Sequence, residues 1–126
     1  MPAVTPNAPH QNLAALASRY VDVAALPWEE TRFPGIETKT LMTEEESGHH
    51  TLLIRMAPGS VLPDHEHARI EQTYVLEGSL VDDEGAATAG NFVWRPATSR
   101  HAASAPEGCL LLAFFLAANR FFDDGA

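Results

Sequence analysis

The chain has 126 residues, enough for one domain around a single core, and its 45% hydrophobic and 20% charged residues are the balance of an ordinary globular protein. A net charge of −9 and an isoelectric point near 4.9 speak against nucleic acid and against anionic membrane surfaces, since both need a basic face. The single cysteine, Cys109, excludes an internal disulfide and suits a reducing cytoplasm.

Residues 1–11 hold Pro2, Pro6 and Pro9 with neither a basic stretch nor an apolar segment, so they read as a disordered lead-in and not as a signal peptide. One domain is expected over residues 12–126. Leu13, Leu16 and Ala17 recur at helical spacing behind Asn12, a candidate N-cap, so residues 12–20 predict one short helix. Residues 21–28 read as an irregular strand that Pro27 confines to a sheet edge. The pattern then changes. Short strand-like runs are punctuated by turns at Pro34-Gly35, Pro58-Gly59, residues 82–85 and Pro106-Glu107-Gly108, which predicts an antiparallel all-β fold. Residues 109–116 are apolar on both faces and are expected to be buried on both. The apolar run ends at Ala118, too short to cross a bilayer as a helix. The acidic clusters at Glu44-Glu45-Glu46, Asp82-Asp83-Glu84 and Asp123-Asp124 read as solvated turns and a solvated tail.

Between Gly59 and Gly78 the chain carries His65, His67 and Glu71. Residues two apart on a strand point to one face, so His65 and His67 can share one metal ion. Ala68-Arg69-Ile70 leaves room for a short turn that could return the Glu71 carboxylate to the same ion. A polar loop whose histidines meet only water is the competing reading of these residues. His49 and His50 read as an exposed pair where a strand begins. Met56, Leu62, Phe92, Trp94 and Phe114 are candidate walls of a pocket, though each is also an ordinary core residue. Arg55, Arg69, Arg95 and Arg100 could hold an acidic ligand, with solvated arginine as the default, and Cys109 reads as a buried apolar residue.

The run from Gly59 through His65, His67 and Glu71 to Gly78 resembles the first motif of the cupin family in every spacing. The run from Gly90 through Pro96 to His101 resembles the second, with Thr98 where the family usually has glycine and Ala105 where it usually has asparagine. The resemblance implies a double-stranded β-helix, the cupin jelly roll, behind the short N-terminal helix. It also implies metal ligation by His65, His67, Glu71 and His101. The ion implied is one divalent transition metal, Fe(II) or Zn(II) foremost, with Mn(II), Ni(II) and Co(II) also suited.

Residues 74–112 are similar to the cupin domain of the ChrR-type anti-sigma factors and the small proteins grouped with them. Leu76-Glu77-Gly78, Ala89-Gly90, Arg95-Pro96, His101 and Glu107-Gly108-Cys109 carry the similarity. ChrR-type factors precede this domain with a helical zinc module, which one cysteine cannot supply here. The resemblance therefore implies either a mononuclear non-haem dioxygenase for a small oxygenated molecule of the diketone or hydroxyketone class, or a non-catalytic zinc cupin that senses a ligand or oxidant. The expected partners are a small-molecule ligand and a second copy of the chain, with no nucleic acid and no membrane.

Overall fold

The computed structural model describes residues 3–122. Ten strands follow one another: β1 (Glu29–Glu30), β2 (Ile36–Glu44), β3 (His49–Met56), β4 (Ser60–Glu66), β5 (Glu71–Val81), β6 (Ala86–Thr88), β7 (Phe92–Arg95), β8 (Arg100–Ala105), β9 (Cys109–Phe115) and β10 (Arg120–Phe121). All pairings are antiparallel, in the order β1-β2-β3-β9-β5-β8-β4-β10, with β6 and β7 also on β5. The long β5 serves both halves of the curled sheet. Its first residues pair with β7 and β9, and its last with β6 and β8. This is the all-β jelly roll the sequence implied.

The turns are where the Gly and Pro residues put them. Gly78 is the position that tolerates nothing larger. It adopts φ +72, and a Cβ there would overlap the carbonyl oxygen of Gly108. This close approach follows a register shift between Val75 and Glu77, where β5 crosses from one half of the sheet to the other.

The helix expected over residues 12–20 does not form. Those residues make turns and bends, and the one helical piece is a three-residue 3-10 turn at Val23–Ala25. Leu16 is 100% exposed and Leu13 is 43% exposed, so the periodic face has nothing to pack against. A nine-residue segment without such a partner cannot offset the cost of helix nucleation. The strand read over residues 21–28 does not form; that 3-10 turn stands there, and the two-residue β1 begins only at Glu29. Within the segment read as a lead-in, Val4 bridges Thr43, and the buried Thr5 donates its hydroxyl to the Leu41 carbonyl at 2.7 Å. Asp123 and Asp124 lie outside the described residues. No helix among those described is long and apolar enough to cross a membrane.

Ile36, Met56, Val75, Leu80, Ala103, Ala105, Cys109 and Leu111 form the core between the two halves of the sheet. Strand β9 alternates instead of burying both faces. Cys109, Leu111, Ala113 and Phe115 point inward, while Phe114 on the other face is 42% exposed. The same alternation corrects three of the candidate pocket walls. Met56 and Leu62 line the lumen, but Phe92, Trp94 and Phe114 are on the outer face and exposed. Trp94 and Phe114 both pair with Gln72, and Phe92 pairs with Tyr74, so all share the face opposite Glu71, Thr73 and Val75.

Candidate metal centre

The polar interior lies at one end of the barrel. On one half of the sheet, His50, Phe115, Glu71 and Arg95 sit side by side across β3, β9, β5 and β7. On the facing half, Phe121, His65 and His101 sit side by side across β10, β4 and β8. His67, just past β4, is anchored by reciprocal backbone bonds. Its N–H donates to the Ser99 carbonyl at 2.9 Å, and its own carbonyl accepts from the Thr98 N–H at 2.7 Å. Thr98 has φ +72, so a β-branched residue occupies the left-handed region where the motif usually has glycine, and the turn that delivers Ser99 to His67 forms nonetheless.

The structure brings together three of the four expected ligands. One ring nitrogen from each of His65, His67 and His101 lies within 4.8 Å of the other two, and all three residues are buried. The ring centroids stand 4.7 Å to 4.9 Å apart. Each ring is held by its Nδ1. His65 Nδ1 donates to the Pro63 carbonyl at 2.8 Å. His67 Nδ1 donates to the Ser99 carbonyl at 3.1 Å and to Ser99 Oγ at 2.9 Å. His101 Nδ1 donates to Asp82 Oδ2 at 2.8 Å. Carbonyl and carboxylate oxygens only accept, so these partners fix a proton on Nδ1 and leave each Nε2 as the atom that can take a metal ion. This is the orientation a metal-binding imidazole takes.

Glu71 lies outside the convergent trio but touches one member of it. Its Oε1 is 3.0 Å from His67 Nε2, and its Oε2 accepts from Thr73 Oγ1 at 3.0 Å. His67 Nε2 is fully buried and has no aligned hydrogen-bond partner among the described residues. A ring nitrogen and a carboxylate oxygen that close need a cation between them, either a proton or a metal ion. Two donors bound at about 2.1 Å and at right angles on one metal ion would themselves stand about 3.0 Å apart. The donor set therefore fits a divalent transition metal, and burial makes leaving it bare costly.

The electrostatics agree. Burial lowers the His101 pKa to about 4, with the Arg95 charge adding to the shift and the Asp82 bond opposing it. Burial also lowers that of His65, against the bond to Pro63. Both imidazoles are thus neutral near pH 7, the form that binds metal. Burial alone would raise the Glu71 carboxyl, but positive charge at His67, which a cation on Nε2 supplies, and the Thr73 hydroxyl outweigh that and hold it below the ordinary value. The same contest is settled the same way at Asp82. Burial raises it, while His101, the N–H groups of Glu84 and Gly85, and Arg95 bring it lower overall.

Sequence reasoning missed Asp82, whose side chain is only 3% exposed. In the sequence it groups with Asp83 and Glu84 as a solvated turn. Its Oδ1 does cap that turn, accepting from the N–H groups of Glu84 and Gly85 at 2.9 Å and 3.0 Å. Its Oδ2 meets His101 and, at 2.6 Å, Arg95, so it ties the two halves of the sheet together. A turn-capping Asp followed by Gly was visible in the sequence, but nothing there showed its second oxygen facing the lumen. Arg95 is accordingly a paired, partly buried arginine. Arg55 pairs with Glu37 and Arg100 with Asp64, both at the surface.

A cavity of about 260 Å³ opens onto His65, Glu71 and His101. Its remaining walls are mainly apolar, among them Ile54, Leu62, Leu111 and Phe115. Phe121 stands over His65, with ring centroids 5.2 Å apart, and packs on Phe33 at 4.8 Å.

A model of the ChrR cupin-like domain matches residues 16–119 of the chain. Among solved structures, an acetylacetone dioxygenase from Acinetobacter johnsonii superposes with a TM-score of 0.78 at 21% identity, covering 90% of this chain and 83% of that one. The polyketide cyclase RemF from Streptomyces resistomycificus gives 0.67 at 19% identity, covering 84% and 86%. A structure of Rhodobacter sphaeroides SigE in complex with the anti-sigma ChrR gives 0.63 at 25% identity, covering 74% of this chain and 50% of the other. No curated protein sequence matches the chain significantly.

Proposed function

The chain belongs to the ChrR cupin-like family, and we propose that it is a mononuclear non-haem metal enzyme of the dioxygenase type. It acts on a small oxygenated molecule of the diketone or hydroxyketone class. His65, His67 and His101 hold the ion through Nε2, and Glu71 supplies the fourth ligand beside His67. The observation that carries this reading is the set of three buried imidazoles whose Nδ1 atoms are all engaged, next to a cavity lined mainly by apolar side chains. The likeness in fold to an acetylacetone dioxygenase supports the choice of substrate class.

When bound, a divalent ion supplies a Lewis-acid centre for a chelating pair of ligand oxygens. The chain supplies the rest. Asp82 and Ser99 fix the rings of His101 and His67, so the donors are set before the ion arrives. Thr73 holds the outer oxygen of Glu71 and leaves the inner one beside His67. Phe115 and Phe121 keep water from the space above the trio and give an apolar ligand body its contact area.

Metal analysis of the protein as purified, followed by oxygen uptake with acetylacetone after Fe(II) loading, tests the proposal. The expected result is one ion per chain, lost on His65→Ala, and oxygen consumption that depends on both iron and the diketone. One ion of zinc per chain with no oxygen uptake after iron loading would replace this reading with the non-catalytic zinc cupin, which the similarity to ChrR favours. A protein that binds no divalent ion would remove both.

A further inference from the structure

Four polar side chains of the cavity, Thr31, Thr38, His50 and Asn119, have no part in the site described above. The sequence reads His49 and His50 together as an exposed pair, but His50 lines the same cavity as His65, Glu71 and His101. It sits in register with Phe115, whose side chain points inward. Its ring lies flat on the Phe115 ring, with centroids 4.6 Å apart and planes 3° from parallel. Its Nδ1 donates to the Gly48 carbonyl at 2.8 Å. Two independent contacts thus fix both the plane and the rotation of the ring. The bond to a carbonyl places the proton on Nδ1, so Nε2 is left as a hydrogen-bond acceptor, with no partner among the described residues.

The position of His50 says what it could accept from. Across the sheet the order is His50, Phe115, Glu71, so His50 is two strand spacings from Glu71, roughly 10 Å. His50 is accordingly not among the residues whose ring nitrogens converge. The space between is walled by Phe115, Leu52, Ile54 and Leu111. The cavity therefore has His50 toward one end, the histidine trio at the other, and a mainly apolar stretch between, with Thr38 beside Ile54. A ligand filling it is elongated, with an oxygen pair at the histidine trio, an apolar body against Phe115 and a hydrogen-bond donor at the other end.

We propose that His50 is the second anchor of the cavity and sets its specificity by accepting a hydrogen bond at Nε2 from a terminal hydroxyl of the ligand. This rests on the metal-centre reading and deepens it. The preferred ligand is a diketone that carries a hydroxyl at the end of an apolar arm, in place of a short symmetric diketone. His50 acts on binding and leaves the trio untouched.

Two probes test this, hexanoylacetone and its analogue with a hydroxyl at the end of the alkyl chain. Their affinities are measured calorimetrically, without oxygen, on the iron-loaded wild type and on His50→Phe, which keeps the stack on Phe115. A hydrogen bond to a neutral acceptor is worth about 1 kcal/mol, so the wild type is expected to prefer the hydroxylated probe about fivefold. His50→Phe is expected to bind the two alike, with unchanged affinity for hexanoylacetone. His50→Gln, which retains an acceptor, is expected to recover part of the preference. Equal binding of both probes by the wild type would overturn the proposal without any variant and leave the metal-centre reading standing, as would a preference that survives in His50→Phe. Failure of both probes to bind the iron-loaded wild type would overturn the proposal together with the reading beneath it.

Discussion

The same strands carry opposite chemistry at their two ends. At one end of the barrel, β3, β9 and β5 present His50, Phe115 and Glu71 side by side, and Arg95 continues the row on β7. At the other, they present Met56, Cys109 and Gly78, and Ile36 precedes them on β2. The second end closes into core. The first stays open as a cavity onto the histidines. Burial acts on both ends alike, since it favours whichever form is uncharged. At the closed end it raises the Cys109 pKa to about 11, and the neutral thiol is the inert form. At the open end it lowers the His101 pKa to about 4, and the neutral imidazole is the form with a free lone pair. One physical cause therefore quiets the first group and readies the second.

The largest test of this contrast pairs a substitution from each end. His101→Ala at the open end is expected to abolish stoichiometric metal binding, and with it the rise in melting temperature on adding the ion. That rise is worth about 4 kcal/mol when the free ion is a thousandfold above its dissociation constant. Val75→Ala lies deep in the closed core, where Val75 is 0% exposed, and is expected to cost about 2 kcal/mol of stability while keeping one ion per chain. Metal content by mass spectrometry and melting with and without the ion read both. If Val75→Ala lost its metal while still folded, or His101→Ala kept it, the two ends would not divide the work as described.

The difference between the ends also governs what was legible in the sequence. The strands could be read because turns at Pro58-Gly59 and Pro106-Glu107-Gly108 interrupt apolar runs of strand length, a local signal. His65, His67 and His101 could be read because their spacings follow two motifs. The helix over residues 12–20 was misread because its apolar spacing is local, and what decides a short helix is a packing partner, which Leu16 lacks. The outward placement of Phe92, Trp94 and Phe114 depends on which face of each strand meets the lumen. Parity along β5 could be read, but its transfer to β7 and β9 needed the register. Asp82 and His50 were missed for a related reason. Each stands beside a turn and looks solvated, and each turns inward only because a residue remote in the chain, His101 or Phe115, waits there.

The pH response of the metal-free protein sharpens the contrast further. Folded, His101 takes up its proton near pH 4, and His65 also takes it up below the ordinary value of 6.5. Unfolded, both take it up near that ordinary value. Between those limits the unfolded chain binds more protons than the folded one, so stability is full above pH 6.5 and falls as the pH drops toward 4. The expected loss from His101 is on the order of 3 kcal/mol. Urea unfolding of metal-free protein between pH 7 and pH 5 isolates this effect, because the carboxylates held low at Glu71 and Asp82 act in the same direction but only at lower pH. A urea midpoint that stays level across that interval would mean that the open end does not hold its histidines neutral.

The smallest expected effect concerns how the open end is braced. Asp82 uses both oxygens: Oδ2 accepts from His101 Nδ1 and Arg95, and Oδ1 accepts from the N–H groups of Glu84 and Gly85. In Asp82→Asn the amide oxygen can fill one of these places but not both. If it stays on His101 and Arg95, the NH₂ group faces two backbone donors and the turn that positions residue 82 loses its cap. If it turns to the backbone, His101 Nδ1 faces an NH₂ donor, and the proton is free to move to Nε2, where it blocks the lone pair. Either arrangement leaves the three rings in place while loosening one of them, so metal affinity is expected to fall about tenfold, the lower end of what such supporting groups contribute. Competition against a chelator of known affinity measures that loss, and Ser99→Ala provides the parallel case for His67, which keeps a backbone carbonyl on its Nδ1 and should lose less. An Asp82→Asn protein that binds the ion as tightly as the wild type would show that the His101 ring is set by packing alone, and that the bridge between the two halves of the sheet serves the fold and not the centre.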